Sequence, residues 1–401
     1  MKRIKLVDLA MQNAEIQAEV ELAFAGIHRT TSYVGGPEVE SFEREFADYL
    51  GVRHVVGVSS GTDALRLALL AVGIGEGDEV ITTPMSFIGT VEGIVQTGAA
   101  PSFVDVDPVS GNMCPAALRN YLESGPYRTR NGPKAVLPVH LYGAPAPMSE
   151  LIAIAQDYRI QVIEDACQAH GAKVALADRW VHAGTVGEAG CFSFYPGKNL
   201  GAWGEAGAVA TDNSDLAAQI ISLRDHGRIS HYAHERCGYN ARLDTLQAAV
   251  LRAKLKCLDR WNDRRREIAQ LYRELLSDLP IELPEEAGDA DPCYHLYVIK
   301  SRIRDSLRSA LLTSQIECGI HYPVPLHLQP ALRSYGYRRG DFPLAECVAD
   351  TVLSLPMHPH LTDVDVARVA EVIHAEFAKA RGAVDGAHPD LGASESPSGN
   401  A

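Results

Sequence analysis

A chain of 401 residues with 46% hydrophobic and 22% charged side chains has the balance of a water-soluble enzyme and is long enough for two domains. Its formal net charge of -14 argues against a nucleic-acid partner, which would require a clustered positive surface. No apolar run approaches the roughly 18 residues that span a bilayer, and no basic-then-apolar leader opens the chain. The 8 cysteines form no CxxC pair, so the expectation is a cytoplasmic protein with reduced thiols. His231/His234 and His358/His360 pair without cysteine or carboxylate companions, so no metal site is expected.

In chain order, seven short runs rich in Val, Ile, Phe or Thr and bounded by Gly, Pro or Asp read as strands. They are "HVVGVSS" (54–60), "DEVITTP" (78–84), "APSFVDVD" (100–107), "KAVLPVHLYG" (134–143), "QVIEDAC" (161–167), "GCFSFYP" (190–196) and "GAVATD" (207–212). Helical patterns such as "TDALRLALLAVG" and "SELIAIAQDYR" separate most of them. The fold class is therefore α/β, with a mostly parallel seven-stranded sheet covered by helices. The last two strands are joined by about ten loop residues, too few for a helical crossover, so at least one neighbour should run the other way. From about residue 243 a long helical pattern leads into a smaller α+β region, with a strand in "CYHLYVIK", helices around "DSLRSALLTSQ" and 363–380, and the loop "HYPVPLHLQP". The expected division is a large domain at 1–250, a small one at 251–380 and a disordered Gly/Ala/Ser/Pro-rich tail at 381–401.

Three features at strand ends carry chemistry. In "SSGTDALRLALL" a strand meets a helix at Gly61-Thr62, where free N–H groups and the helix dipole can cradle a phosphate, although an ordinary helix cap reads the same way. In "VIEDACQAHGA", Asp165 follows an apolar strand, and a carboxylate buried there needs a positive partner such as the pyridinium of pyridoxal phosphate. In "FSFYPGKNLGAWGEAGA", Lys198 sits among aromatics and glycines, the setting of a lysine held near an aldehyde to form a Schiff base. Ser193 adds a phosphate hydroxyl just before it.

With these stretches and "YVGGPEVESFEREFADYLG", "GDEVITTPMSFIGT", "VHLYG", "GYNARLDTLQAAVLRAKL" and "HYPVPLHLQP", the chain resembles the DegT/StrS family of sugar aminotransferases over about residues 5–378. The resemblance implies the fold type I layout of pyridoxal 5'-phosphate enzymes. It makes Lys198 the Schiff-base lysine, Asp165 the partner of the ring nitrogen and Gln168 the neighbour of the phenolic oxygen. Gly61, Thr62 and Ser193 become phosphate ligands, and Phe87 the ring that stacks on the cofactor. Asn240 would reach the phosphate of a neighbouring subunit, which makes a homodimer the catalytic unit. Tyr322 and His327 would stand near the sugar, with structural roles open for both.

The implied reaction moves an amino group from L-glutamate to a nucleotide-linked keto-sugar, a 3-keto-hexose on dTDP or UDP. A 4-keto-sugar, a keto-inositol or a non-catalytic regulatory role remain alternatives. Glu205-Ala206 stands where many relatives carry Asp-Gly, a departure that puts the backbone after the lysine in question.

Overall fold

The computed structural model describes residues 2–285 and 288–385. An N-terminal arm bridges Ile4 to Ile316 and leads into α1 (Leu9–Thr30) and α2 (Pro37–Leu50). Helix α2 starts with proline, carries Glu38 and Glu40 in its first turn and stops at Gly51 in a left-handed conformation. Its buried Val39, Phe42, Phe46 and Leu50 recur at helical spacing, and each large side chain so buried contributes about 1.5–3 kcal/mol.

The helices and strands then alternate: β1 (His54–Val58), α3 (Gly61–Ala71), β2 (Glu79–Thr82), α4 (Ile88–Val95), β3 (Ala100–Phe103), α5 (Pro115–Ser124), β4 (Pro133–Val136), α6 (Met148–Tyr158) and β5 (Gln161–Asp165). Next come a hairpin of β6 (Lys173–Leu176) and β7 (Arg179–His182), then β8 (Ala189–Ser193), β9 (Gly207–Thr211) and α7 (Ser214–Arg224). The principal sheet has seven strands in the order β1-β9-β8-β5-β4-β2-β3. All seven are those expected from the sequence. From β8 to β3 the pairing is parallel, whereas β9 is antiparallel to both β8 and β1. The short loop between β8 and β9 accounts for that reversal. The β6–β7 hairpin, extended by β12 (Ala290–Asp291), was not expected.

After the exposed pair β10 (Arg228–Ser230) and β11 (Ala233–His234), the long helical pattern divides into α8 (Thr245–Leu255) and α9 (Leu258–Leu276), with the break at Lys256-Cys257. The C-terminal part pairs β13 (Tyr297–Lys300) with β14 (Val352–Leu355) and packs α10 (Arg304–Thr313), α11 (Pro343–Thr351) and α12 (Asp363–Asp385) around them. It has its own core, in which Tyr272 stacks on Tyr297 with ring centroids 4.9 Å apart, and the arm contributes Ile4 to that core. Helix α12 runs five residues beyond the expected end at 380; the remainder of the expected tail lies outside the described residues. Among the described residues, no helix is long and apolar enough to cross a membrane.

Candidate active site

The carboxyl ends of β1, β2, β5 and β8 converge on a cavity of about 610 Å³, where open α/β sheets place their ligands. Residues from the arm, Leu6 and Val7, and from the C-terminal part, His295, Leu296, His321 and Tyr322, close its other side.

At one wall, α3 starts beneath β8. Ser60 caps the helix by accepting from Asp63 N at 3.1 Å, while no described residue accepts from the N–H groups of Gly61 or Thr62. A Cβ on Gly61 would come within 2.5 Å of Ser193 Cβ and 2.9 Å of Cys167 Sγ, so only glycine lets this helix end lie against β5 and β8. Thr62 and Ser193 line the same wall with their hydroxyls. Two free N–H groups, two hydroxyls and the positive end of a helix make a set of donors suited to a phosphate.

Asp165 ends β5 and is 4% exposed. Its Oδ2 accepts from the Thr90 hydroxyl at 2.7 Å and its Oδ1 from Cys167 N at 3.2 Å. Among the described residues no cation lies within ion-pair distance of it, so its partners within the chain are neutral. A ring cation in the cavity would complete the pairing that burial demands.

Lys198 follows β8 on a loop whose shape comes from backbone bonds: Lys198 N to Tyr195 O at 2.9 Å, Ala202 N to Phe194 O at 2.8 Å and Phe194 N to Ala206 O at 2.8 Å. Gly201 is required here, since a Cβ would come within 2.3 Å of Pro196 O. Burial pushes the Lys198 pKa below that of an ordinary lysine, against the opposing pull of Cys167 and Asp165. A lowered pKa gives the free amine that Schiff-base formation requires.

Phe87, at the N-cap of α4, is 55% exposed, and its ring lies over the cavity 6.2 Å from that of Tyr322. Gln168 accepts from Tyr142 N at 2.7 Å and donates to the Tyr322 hydroxyl at 3.2 Å, which leaves one amide hydrogen for a ligand. The donor set thus fits pyridoxal phosphate at every part of the molecule: phosphate, ring nitrogen, aldehyde, ring face and phenolic oxygen.

Of the residues singled out in the sequence, Gly61, Thr62, Phe87, Asp165, Gln168, Ser193, Lys198 and Tyr322 line this one cavity. Two do not. His327 is 2% exposed; its Nε2 lies 3.0 Å from Glu346 Oε1 and its ring packs on Phe342. Those contacts are structural, and His327 lies outside the lining of the cavity that holds Lys198. Asn240 is exposed and outside its own chain's cavity, accepting from Arg242 at 3.0 Å. The Glu205-Ala206 departure leaves no strain, because Ala206 is buried without a positive φ and Glu205 faces the cavity. Sequence reasoning missed Thr90, Cys167, His295 and His321. All four lie inside stretches already noted, but only tertiary packing brings His295 and His321 to the cavity.

A model of the DegT/DnrJ/EryC1/StrS aminotransferase family matches residues 14–374. The chain belongs to this family. Like its members, it is a pyridoxal-phosphate-dependent aminotransferase. It is 44% identical over 360 residues to the erythromycin biosynthesis sensory transduction protein EryC1 of Saccharopolyspora erythraea, covering 90% of this chain and 95% of the relative. It is 43% identical to the dTDP-3-amino-3,4,6-trideoxy-alpha-D-glucose transaminase of Streptomyces venezuelae, covering 92% and 95%. It is 40% identical to the UDP-N-acetyl-3-dehydro-alpha-D-glucosamine 3-aminotransferase of Acidithiobacillus ferrooxidans, covering 92% and 97%. Among solved structures, S. venezuelae DesV in complex with a ketimine intermediate superposes with a TM-score of 0.89 at 41% identity, covering 94% of this chain and 98% of that one.

Proposed function

We propose that the chain transfers the amino group of L-glutamate to C3 of a keto-hexose carried on dTDP or UDP. The observation that carries the proposal is the meeting of Lys198, the unpaired Asp165 and the free end of α3 in one cavity. The two transaminase relatives differ in the nucleotide that they name but share the 3-position, and this chain has Gln168 at the cavity wall.

Bound pyridoxal phosphate supplies the electron sink that makes an amino-acid Cα–H acidic. Asp165 would set its carboxylate against the ring nitrogen, and Thr90 holds that carboxylate in place. The α3 end, Thr62 and Ser193 would hold the phosphate, and Phe87 would cover the ring face. Lys198 would anchor the cofactor covalently, and its freed amine would carry the proton to or from the substrate carbon within each half-reaction. Gln168 would align the phenolic oxygen, while Tyr322 would face the acceptor sugar.

Asn240, exposed and away from its own cavity, completes the phosphate site of a second copy, so the working unit is a homodimer. Each protomer divides into a large domain at 1–250 and a small one at 251–380, with the sugar entering between them. Eight free cysteines without a disulfide suit a reducing cytoplasm.

The test is to mix the loaded protein with glutamate and then with nucleotide-linked 3-keto and 4-keto hexoses and a free keto-inositol. Loss of absorbance near ~420 nm, release of 2-oxoglutarate and fastest amination of the 3-keto-sugar are expected. An unchanged spectrum would favour a regulatory role, consistent with the name of the S. erythraea relative.

A further inference from the structure

Behind the Lys198 loop runs a chain of buried amides. Asn262 Nδ2 donates to His170 O at 2.8 Å, and Asn199 Nδ2 donates both to Asn262 Oδ1 at 2.8 Å and to Cys293 O at 3.0 Å. Asn199 and Asn262 are each 1% exposed. Reversing Asn199 would set its oxygen against two other oxygens, Asn262 Oδ1 and Cys293 O, with no proton between them. Asn199 Oδ1 must therefore face the remaining neighbour, His295 Nδ1, at 3.2 Å. An amide oxygen only accepts, so Nδ1 carries the ring proton. His295 lines the cavity with Lys198, and no described residue bonds to its Nε2.

We propose that His295 is a positioning residue for Lys198: held as the Nδ1–H tautomer by Asn199, it offers Nε2 across the shared cavity as an acceptor for one N–H of the freed Lys198 amine and leaves that amine's lone pair free. This inference rests on the reading of Lys198 as the covalent and proton-moving lysine.

The tautomer decides the outcome. A ring protonated at Nε2 would donate to the amine and occupy the lone pair that must take the proton from Cα. A ring bare at Nε2 can only accept, so it aims the amine without quenching it. The surroundings keep the ring uncharged. Burial pushes its pKa well below the ordinary histidine value, and the positive charges of Lys198 and Arg265 act in the same direction, as do His170 and His321. His170 is itself driven down to about 3 by burial, and His321, whose Nδ1 lies 2.8 Å from Ser354 Oγ, is also lowered. The largest influences on His295 are thus burial and positive charge, and each disfavours its protonation.

The experiment has two arms on the full chain. Nitrogen-15 histidine spectra, with His295→Asn as the assignment control, should show Nδ1 protonated and Nε2 bare from about pH 6 to about pH 8. A proton on Nε2, or a midpoint near the ordinary value of about 6.5, overturns the proposal. In the loaded enzyme, His295→Asn keeps a donor to Asn199 but removes the acceptor from the cavity, whereas His295→Gln places an amide oxygen near the former Nε2. His295→Asn should lower kcat for the glutamate half-reaction about tenfold or more with KM nearly unchanged, and His295→Gln should restore most of the rate. Equal losses in both variants, or a change in KM alone, overturn it. Borohydride trapping of the cofactor on wild-type Lys198 separates the two readings. Failure to trap sinks the covalent role, and successful trapping with the wrong tautomer sinks only the role of His295.

Discussion

Glu164 and Asp165 are neighbours on β5, both buried, and their side chains point to opposite faces of the sheet. Glu164 is fully satisfied. It accepts from Gly184 N, Val186 N and Gly187 N at 2.6–2.9 Å and lies 2.9 Å from His140 Nε2. Among the described residues, Asp165 has one hydroxyl and one N–H as donors and no cation within ion-pair distance. The same chemical group one residue apart is thus saturated on the structural face and left short of partners on the cavity face. A buried charge that the fold does not neutralise marks where a ligand must do so.

Substitutions can break that comparison from either side. The largest effect is expected at the residue that the ligand shares with Asp165. Lys198→Ala should lower turnover by about 10⁴-fold or more in a glutamate-to-keto-sugar assay, with the melting temperature little changed. Asp165→Asn should lower turnover about 10²- to 10³-fold, yet leave the cofactor-free protein about as stable as before, because among the described residues the carboxylate has no ion-pair partner to lose. Glu164→Ala should do the reverse. Leaving His140 and three N–H groups unpaired costs about 3–5 kcal/mol in a urea titration, a loss that Asp165→Asn does not produce.

Acid sharpens the same contrast. Burial raises the Glu164 pKa, but His140 and the N–H groups of Gly187 and Gly184 more than offset it, so the folded value lies below the ordinary 4.5 of a glutamate. Stability from Glu164 is therefore complete above its unfolded pKa and is lost as pH falls through the lower folded value. Wild type should show that acid loss in melting scans, and Glu164→Gln should not. The smallest effect is expected for Thr90→Val. It removes one hydrogen bond to a carboxylate, worth about 1.5–3 kcal/mol at most, and should slow turnover without altering covalent attachment at Lys198.

What could be read from the chain follows from how local each signal is. The seven main strands are short apolar runs with Gly, Pro or Asp at their ends, and the β8–β9 reversal follows from loop length. The β6–β7 hairpin is half-buried and weakly patterned, so it left no comparable signal. The break between α8 and α9 falls inside an uninterrupted helical periodicity and is visible only in three dimensions. In the site, Lys198, Asp165 and Gly61-Thr62 announce themselves at strand ends. His327 and Tyr322 share a loop, yet only Tyr322 lines the cavity, because a loop motif does not say which side chain turns inward. His295 went unnoticed because it precedes an ordinary strand, and its tautomer depends on two asparagines distant in sequence.

Trapping the loaded protein with borohydride and mapping the labelled peptide tests the central assignment most directly. The modification should fall on the peptide that contains Lys198, and Lys198→Ala should carry none. A label on another lysine, or none on the wild-type chain, would contradict the account.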